Sequence, residues 1–134
     1  IANCLVALKV KKAWVVHGSD GMDEITLTGK SKIAELNNNK ITEFEIIPEK
    51  YGFQNCSIKD LQGGTPKENA NKMINLFKGE QGPYRDIVLL NAAAGFCVSD
   101  CAKDFQEGIH LAKNIIDNGK ALHTLNNLIK VSNQ

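Results

Sequence analysis

The chain has 134 residues, 43% hydrophobic and 23% charged, with 16 basic against 15 acidic side chains and a net charge of +1. That length is enough for one domain with a sizeable core, and the charge balance lacks the basic footprint by which nucleic acid or an anionic membrane is bound. No apolar run approaches the ~20 residues needed to cross a bilayer, and no leader peptide of the secretory type opens the chain.

The first residues, from Ile1, read as a helix already under way over 1–10, with Ala2, Leu5, Val6 and Val10 as its apolar positions. A helix entered without a methionine or a cap predicts sequence upstream of it. Ala13 to Val16 reads as a buried strand within 13–17, followed by a loop over 18–24 that ends in adjacent carboxylates, Asp23 and Glu24. Helix, strand and ligand-bearing loop follow one another in this order in α/β units. Ile25-Thr26-Leu27-Thr28 alternates apolar and polar, which predicts a half-buried strand. After a turn at Gly29-Lys30, strands are expected at 32–36 and 41–47, joined by Asn37-Asn38-Asn39, with Phe44 and Ile46 on one face and Pro48 as the stop. These strands should form an antiparallel flap appended to a parallel sheet flanked by helices.

Residues 49–64 read as a connecting loop, and from Thr65 the pattern turns helical. Thr65-Pro66-Lys67-Glu68 combines a capping threonine, a proline at the first helical position and a glutamate three residues after the cap. Ala70, Met73, Ile74 and Phe77 repeat at helical spacing as far as Gly79. Gly82-Pro83 opens a helix whose centre, Ile87 to Val98, is apolar nearly all round and so should be deeply buried. Asp104 and Glu107 look like a further capping pair before Phe105, Ile109, Ala112 and Ile116. Asp117-Asn118-Gly119 breaks that helix, and Leu122, Leu125, Leu128 and Ile129 line the last one.

Paired carboxylates at a strand end suit a hard cation that carries substrate phosphates, so Asp23 and Glu24 are the candidate metal ligands; the alternative is an acidic, solvated turn. His17, at the strand end, is either a ligand contact or a histidine satisfied by backbone. Gly63-Gly64 lacks the spacing of a phosphate-binding loop and reads as a hinge feeding the Thr65 cap. Cys97 and Cys101, four apart on the predicted helix, have no histidine or second cysteine pair to complete a metal site and read as core thiols. Cys4, Cys56, Cys97 and Cys101 contain no Cys-x-x-Cys pair, so they are expected to be reduced, in a cytoplasmic protein.

Taken together, His17-Gly18-Ser19-Asp20-Gly21-Met22-Asp23-Glu24-Ile25 with Thr28-Gly29, then Leu61-Gln62-Gly63-Gly64 with Glu68-Asn69-Ala70, then Gly82-Pro83-Tyr84-Arg85-Asp86 running on to Asn91-Ala92-Ala93-Ala94, then Glu107-Gly108 and Gly119-Lys120-Ala121-Leu122 resemble the anthranilate phosphoribosyltransferase family. The resemblance covers essentially the whole chain, and implies that residues 1–134 are the C-terminal part of the family's α/β domain, with the N-terminal part missing. Within it, 1–64 would hold the strand, metal loop and flap, and 65–134 the helices. The implied fold is that of the large domain of phosphoribosyltransferases of this type and of nucleoside phosphorylases. The implied reaction is transfer of 5-phosphoribosyl from phosphoribosyl pyrophosphate (PRPP) to anthranilate in tryptophan biosynthesis.

By the same resemblance Asp23 and Glu24 match the family's Mg²⁺-binding Asp-Glu. Its Gly-Thr-Gly-Gly-Asp loop, its Lys-His-Gly-Asn segment and its anthranilate-binding arginine are not found here, so no catalytic residue is assigned and the 134 residues alone are expected to be inactive. A homodimer is implied for the full-length enzyme, with neither nucleic acid nor membrane as partner. Met22 stands where leucine is usual, Lys30 where proline is frequent, and Cys97 and Cys101 at positions usually small or aliphatic. Two competing readings are a noncatalytic nucleic-acid-binding relative and an enzyme like pyrimidine nucleoside phosphorylase. The even charge balance and the retained acidic pair count against the first.

Overall fold

Strand-forming residues on either side of two asparagines produce a hairpin. In the computed structural model, which describes residues 1–134, β1 (Lys12–Gly18), β2 (Ser31–Asn37) and β3 (Lys40–Ile46) form one antiparallel sheet in that order. Asn38 and Asn39 join β2 to β3 with φ of 49° and 68°, the mirror-image turn that matches the twist of paired strands. Asparagine enters this left-handed region more readily than most residues because its short amide bonds locally. Trp14 on β1 lies opposite Glu35 on β2, and its Nε1 donates to the Glu35 carboxylate at 2.9 Å.

The sequence predicts a parallel sheet around β1. Its one strand partner here is β2, antiparallel, and it stands at the edge of the sheet. Ala13 to Val16 are accordingly half-buried rather than buried. α1 (Ala2–Ala7), shorter than the predicted 1–10, rests against β1 and β2 and buries no residue fully.

The connecting segment contains two short 3₁₀ turns, Pro48–Tyr51 and Ile58–Leu61, within what reads as plain loop. α2 (Pro66–Phe77) opens on the predicted cap: the Glu68 N–H donates to Thr65 Oγ1 at 3.3 Å, and the Glu68 carboxylate accepts from the Thr65 N–H at 2.7 Å. Its buried contact is Leu76, whereas Met73 is 40% exposed, so the inward face is rotated from the one expected.

α3 (Pro83–Val98) and α4 (Phe105–Asp117) pack on each other. At their crossing, a Cβ on Gly108 would stand 2.8 Å from the Ala93 carbonyl oxygen, so a glycine is what permits this approach. α3 is not covered all round: Leu89, Leu90 and Ala93 are buried, but Gly95 is exposed and Val88, Ala92 and Phe96 are half-buried. Asp104 caps α4, accepting from the Glu107 N–H at 2.8 Å, as the sequence predicts. α5 (Lys120–Ser132) keeps Leu122 and Leu125 half-buried and leaves Leu128 and Ile129 exposed.

The main core joins Ile33 and Ile46 of the sheet to Leu90 and Ala93 of α3, Ile109 of α4, and Ile25 and Leu27 from the loop after β1. Ile25, Leu27 and Leu90 are 0% exposed, each such side chain contributing about 2 kcal/mol of burial. Because two of them belong to the loop, the core anchors the loop directly. Arg85 is also buried, and its Nη2 donates to Asp117 Oδ1 at 2.6 Å, tying the start of α3 to the end of α4. No helix is long and apolar enough to cross a membrane.

Candidate functional site

The loop after β1 closes on itself through short-range bonds. Its stem is fixed where the Ser19 N–H donates to the Lys30 carbonyl at 2.9 Å. Inside the stem, the Gly18 N–H donates to the Met22 carbonyl at 2.8 Å, and the Gly21 N–H to the Gly18 carbonyl at 3.0 Å. Gly18 is required by space, since a Cβ there would lie 2.5 Å from Asp20 Oδ1 and 3.0 Å from Thr26 Cγ2. The Met22 N–H donates to Asp20 Oδ1 at 3.0 Å, so Met22 is held through both of its backbone groups.

On the far side of the acidic pair, Ile25 is held in the same way from α3. Its N–H donates to Asn91 Oδ1 at 2.9 Å, and its carbonyl accepts from Asn91 Nδ2 at 2.9 Å. Asp23 and Glu24 sit between these two fastened residues. Both are exposed, neither side chain accepts a hydrogen bond, and neither joins one of the three ion pairs of the chain. Two carboxylates are thus presented to solvent on a short arc pinned at both ends.

Ile25–Thr28, predicted as a half-buried strand, joins no ladder. Five of its backbone groups find partners one by one: the Ile25 N–H and carbonyl at Asn91, the Thr26 N–H at Ser31 Oγ at 2.9 Å, the Thr28 N–H at Thr26 Oγ1 at 3.0 Å, and the Leu27 carbonyl at the Cys56 N–H at 3.3 Å. Ile25, Thr26 and Leu27 are all 0% exposed, so burial does not alternate along the segment.

A third carboxylate, Asp20, is also exposed but turns across the loop. Its Oδ2 accepts from Thr26 Oγ1 and from Thr28 Oγ1, each at 2.6 Å. Partial burial pushes its pKa up, but the bonds from Thr26, Thr28 and the Met22 N–H outweigh this and hold it below the usual aspartate value. Asp20 is therefore a committed anion, distinct in role from its two free neighbours.

The other candidates fall away from this arrangement. His17 is exposed and its ring makes no hydrogen bond, so the backbone satisfaction expected of it is not seen. It borders a cleft of about 220 Å³ at the loop stem with Ser19, Lys30 and Lys32; Lys30 also pairs with Glu45 at 2.8 Å. Gly63-Gly64 feeds the Thr65 cap as predicted, with the Gly64 N–H donating to Asn69 Oδ1 at 2.8 Å. Cys97 is buried in the core, but Cys101 lies beyond the end of α3 and is exposed, so the two do not share a helix face.

No set of three or more histidine, cysteine or acidic residues converges on a metal position in this chain. Asp23 and Glu24, adjacent and exposed, form a two-carboxylate platform. Such a platform fits Mg²⁺, which takes one or two carboxylates and fills its shell with waters and substrate phosphates.

Sequence reasoning missed Asp20 and Asn91. Both had a readable signal: Ser19, Asp20, Thr26, Thr28 and Ser31 form a cluster of short polar side chains of the kind that bond nearby backbone. Asn91 is a lone amide in an apolar helical run, where a partner must be found for it.

Residues 1–122 match the glycosyl transferase family, a/b domain. The anthranilate phosphoribosyltransferase of Petrotoga mobilis is 47% identical over 133 residues, covering 99% of this chain and 39% of that protein. The crystal structure of anthranilate phosphoribosyltransferase from Thermus thermophilus superposes with a TM-score of 0.85 at 34% identity, covering 94% of this chain and 37% of that one. The Saccharomyces cerevisiae enzyme in complex with PRPP and Mg gives a TM-score of 0.80 at 28% identity, over 92% of this chain and 36% of that one. The chain therefore spans well under half the length of the relatives it matches.

Proposed function

The chain belongs to the glycosyl transferase family, a/b domain, and on that footing we propose that it is the C-terminal portion of an anthranilate phosphoribosyltransferase. The complete protein would transfer 5-phosphoribosyl from PRPP to the amine of anthranilate, in the cytoplasm and as a homodimer. Residues 1–134 form one part of its α/β domain, whose parallel strands we place along the edge of β1. The 134 residues alone, without the remainder of both substrate sites, would not turn over.

One observation carries the metal assignment: Asp23 and Glu24 are exposed, adjacent and free of internal partners, on an arc fastened at Met22 and Ile25. In the reaction the bond from the ribose anomeric carbon to pyrophosphate breaks as the carbon–nitrogen bond forms, and negative charge collects on the leaving group. Bound Mg²⁺ supplies the positive charge that meets it. Asp23 and Glu24 hold the ion on the protein side, while Met22 and Ile25 keep the arc from folding back on itself. Lys30 and Lys32, lining the cleft at the loop stem, suit the approach of a polyanionic substrate. Anthranilate's amine is weakly basic, so orientation and stabilisation of the leaving group dominate over proton abstraction.

The test is the double variant Asp23→Ala with Glu24→Ala in the complete protein. Turnover should fall by about a hundredfold or more at limiting Mg²⁺, the scale of losing a charge-stabilising group. Unchanged turnover would remove the metal assignment.

A further inference from the structure

Three carboxylates stand between residues 20 and 24, and the structure gives them different work. Asp23 and Glu24 point to solvent without partners, while Asp20 accepts three hydrogen bonds: from Thr26 Oγ1 and Thr28 Oγ1 at 2.6 Å each and from the Met22 N–H at 3.0 Å. The first two run from the near limb of the loop to its far limb and span the arc that carries the acidic pair. A carboxylate has about four acceptor positions, and three are used here inside the loop. Asp20 is consequently a poor ligand for an ion outside it and a strong tie across it.

We infer that Asp20 is the positioning residue of the metal site, fixing the arc so that Asp23 and Glu24 face one Mg²⁺ ion together, without touching that ion. The inference rests on the Asp23–Glu24 assignment made above. Mg²⁺ demands near-octahedral geometry at short distance and gives up its waters reluctantly. Two carboxylates on a loose loop would have to be ordered during binding, at the expense of affinity. Hydroxyl bonds to Asp20 do that ordering beforehand, in the way that partners behind a metal ligand commonly set its orientation. The remaining fastenings, Gly18 to Met22 and Asn91 to Ile25, do not depend on Asp20. Its loss should slacken the middle of the loop without releasing its ends.

The experiment uses the complete protein and Mn²⁺ as the probe. Affinity of Mn²⁺ for the protein–PRPP complex is read from the relaxation enhancement of water protons, without anthranilate and so without turnover. Asp20→Asn keeps the acceptor for the Met22 N–H but turns a donor towards the two threonine hydroxyls. Mn²⁺ affinity should weaken by about tenfold or more, the usual effect of losing a group that orients a metal ligand. Thr28→Val should weaken it in the same direction, and Thr28→Ser, which keeps the hydroxyl, should restore wild-type affinity. Should Asp20→Asn fail to fold, as judged by its thermal midpoint, Thr28→Val carries the test. In turnover assays the Mg²⁺ concentration for half-maximal rate should rise by more than kcat falls. Wild-type Mn²⁺ affinity in Asp20→Asn and Thr28→Val, beside lost affinity in Asp23→Ala/Glu24→Ala, overturns the role of Asp20 and leaves the metal site standing. Wild-type affinity in the Asp23→Ala/Glu24→Ala protein overturns both.

Discussion

The sequence predicts strands for Ile25–Thr28 and for Lys32–Leu36, yet only the second joins a ladder. Both segments bury apolar side chains and both fasten backbone groups through hydrogen bonds. In β2 the partners are other backbones, supplied in register by β1 and β3. In Ile25–Thr28 they are chiefly side chains: an amide from a helix 66 positions away, a serine hydroxyl and a threonine hydroxyl. A ladder tolerates many side chains because its bonds are made by the main chain. A segment wired through side chains depends on each of them by identity. The first kind of region is robust, and the second is shaped for presenting particular groups.

Asn91→Ala should give the largest effect. It strips both partners from Ile25, which is 0% exposed, and each buried group left unpaired costs about 1–3 kcal/mol. We expect a loss of about 3 kcal/mol in urea unfolding, on the basis of those two groups. A loss below about 1 kcal/mol would show that the segment does not depend on this amide, and the contrast with β2 would weaken.

The hairpin should respond less to a comparable insult. Asn39→Ala places an ordinary side chain at φ 68°, a left-handed conformation that costs about 1 kcal/mol. Asn39→Gly should cost nothing measurable in the same unfolding assay. Equal losses from Asn39→Ala and Asn91→Ala would erase the distinction drawn between the two regions.

Acid should separate them most gently. Partial burial raises the Asp20 pKa, but its hydrogen bonds leave it lowered overall from 3.8. A lowered carboxyl pKa stabilises the fold fully above the ordinary value, and that contribution fades as pH falls through the lower, folded one. Amide exchange of Thr28, bonded to the same threonine that donates to Asp20, should therefore accelerate relative to the β2–β3 amides below pH 3.8. Parallel behaviour of both sets would show that Asp20 does not hold the segment.

Much of the architecture was legible where local chemistry decides it. The Thr65–Glu68 and Asp104 caps, the glycine stops and the asparagine turn are short-range devices, and each stands where the residues predict. The acidic pair was legible as a motif, and the structure adds that both carboxylates are unencumbered. What escaped depends on distant residues. Nothing near Ile25 announces that Asn91 will stand in for a neighbouring strand. The composition of α3 cannot say which of its faces is covered, since that is set by where α4 and the sheet lie. Asp20 escaped for a different reason: its signal was local, but it was overshadowed by the more suggestive pair three residues on.

Trp14 is the only tryptophan of the chain. Its ring lies edge-on to Phe44 of β3 at 5.3 Å and 6.1 Å from Phe105 of α4, with its nitrogen bonded to Glu35. The chain thus carries its single tryptophan at the seam between sheet and helices, and none of its ring or hydrogen-bond partners belongs to the acidic arc. Its emission should shift when the seam parts and hold steady when only the arc slackens. Within residues 1–134, Trp14 emission therefore separates variants of Asp20, Asp23 or Glu24 that have loosened the arc from those that have lost the fold.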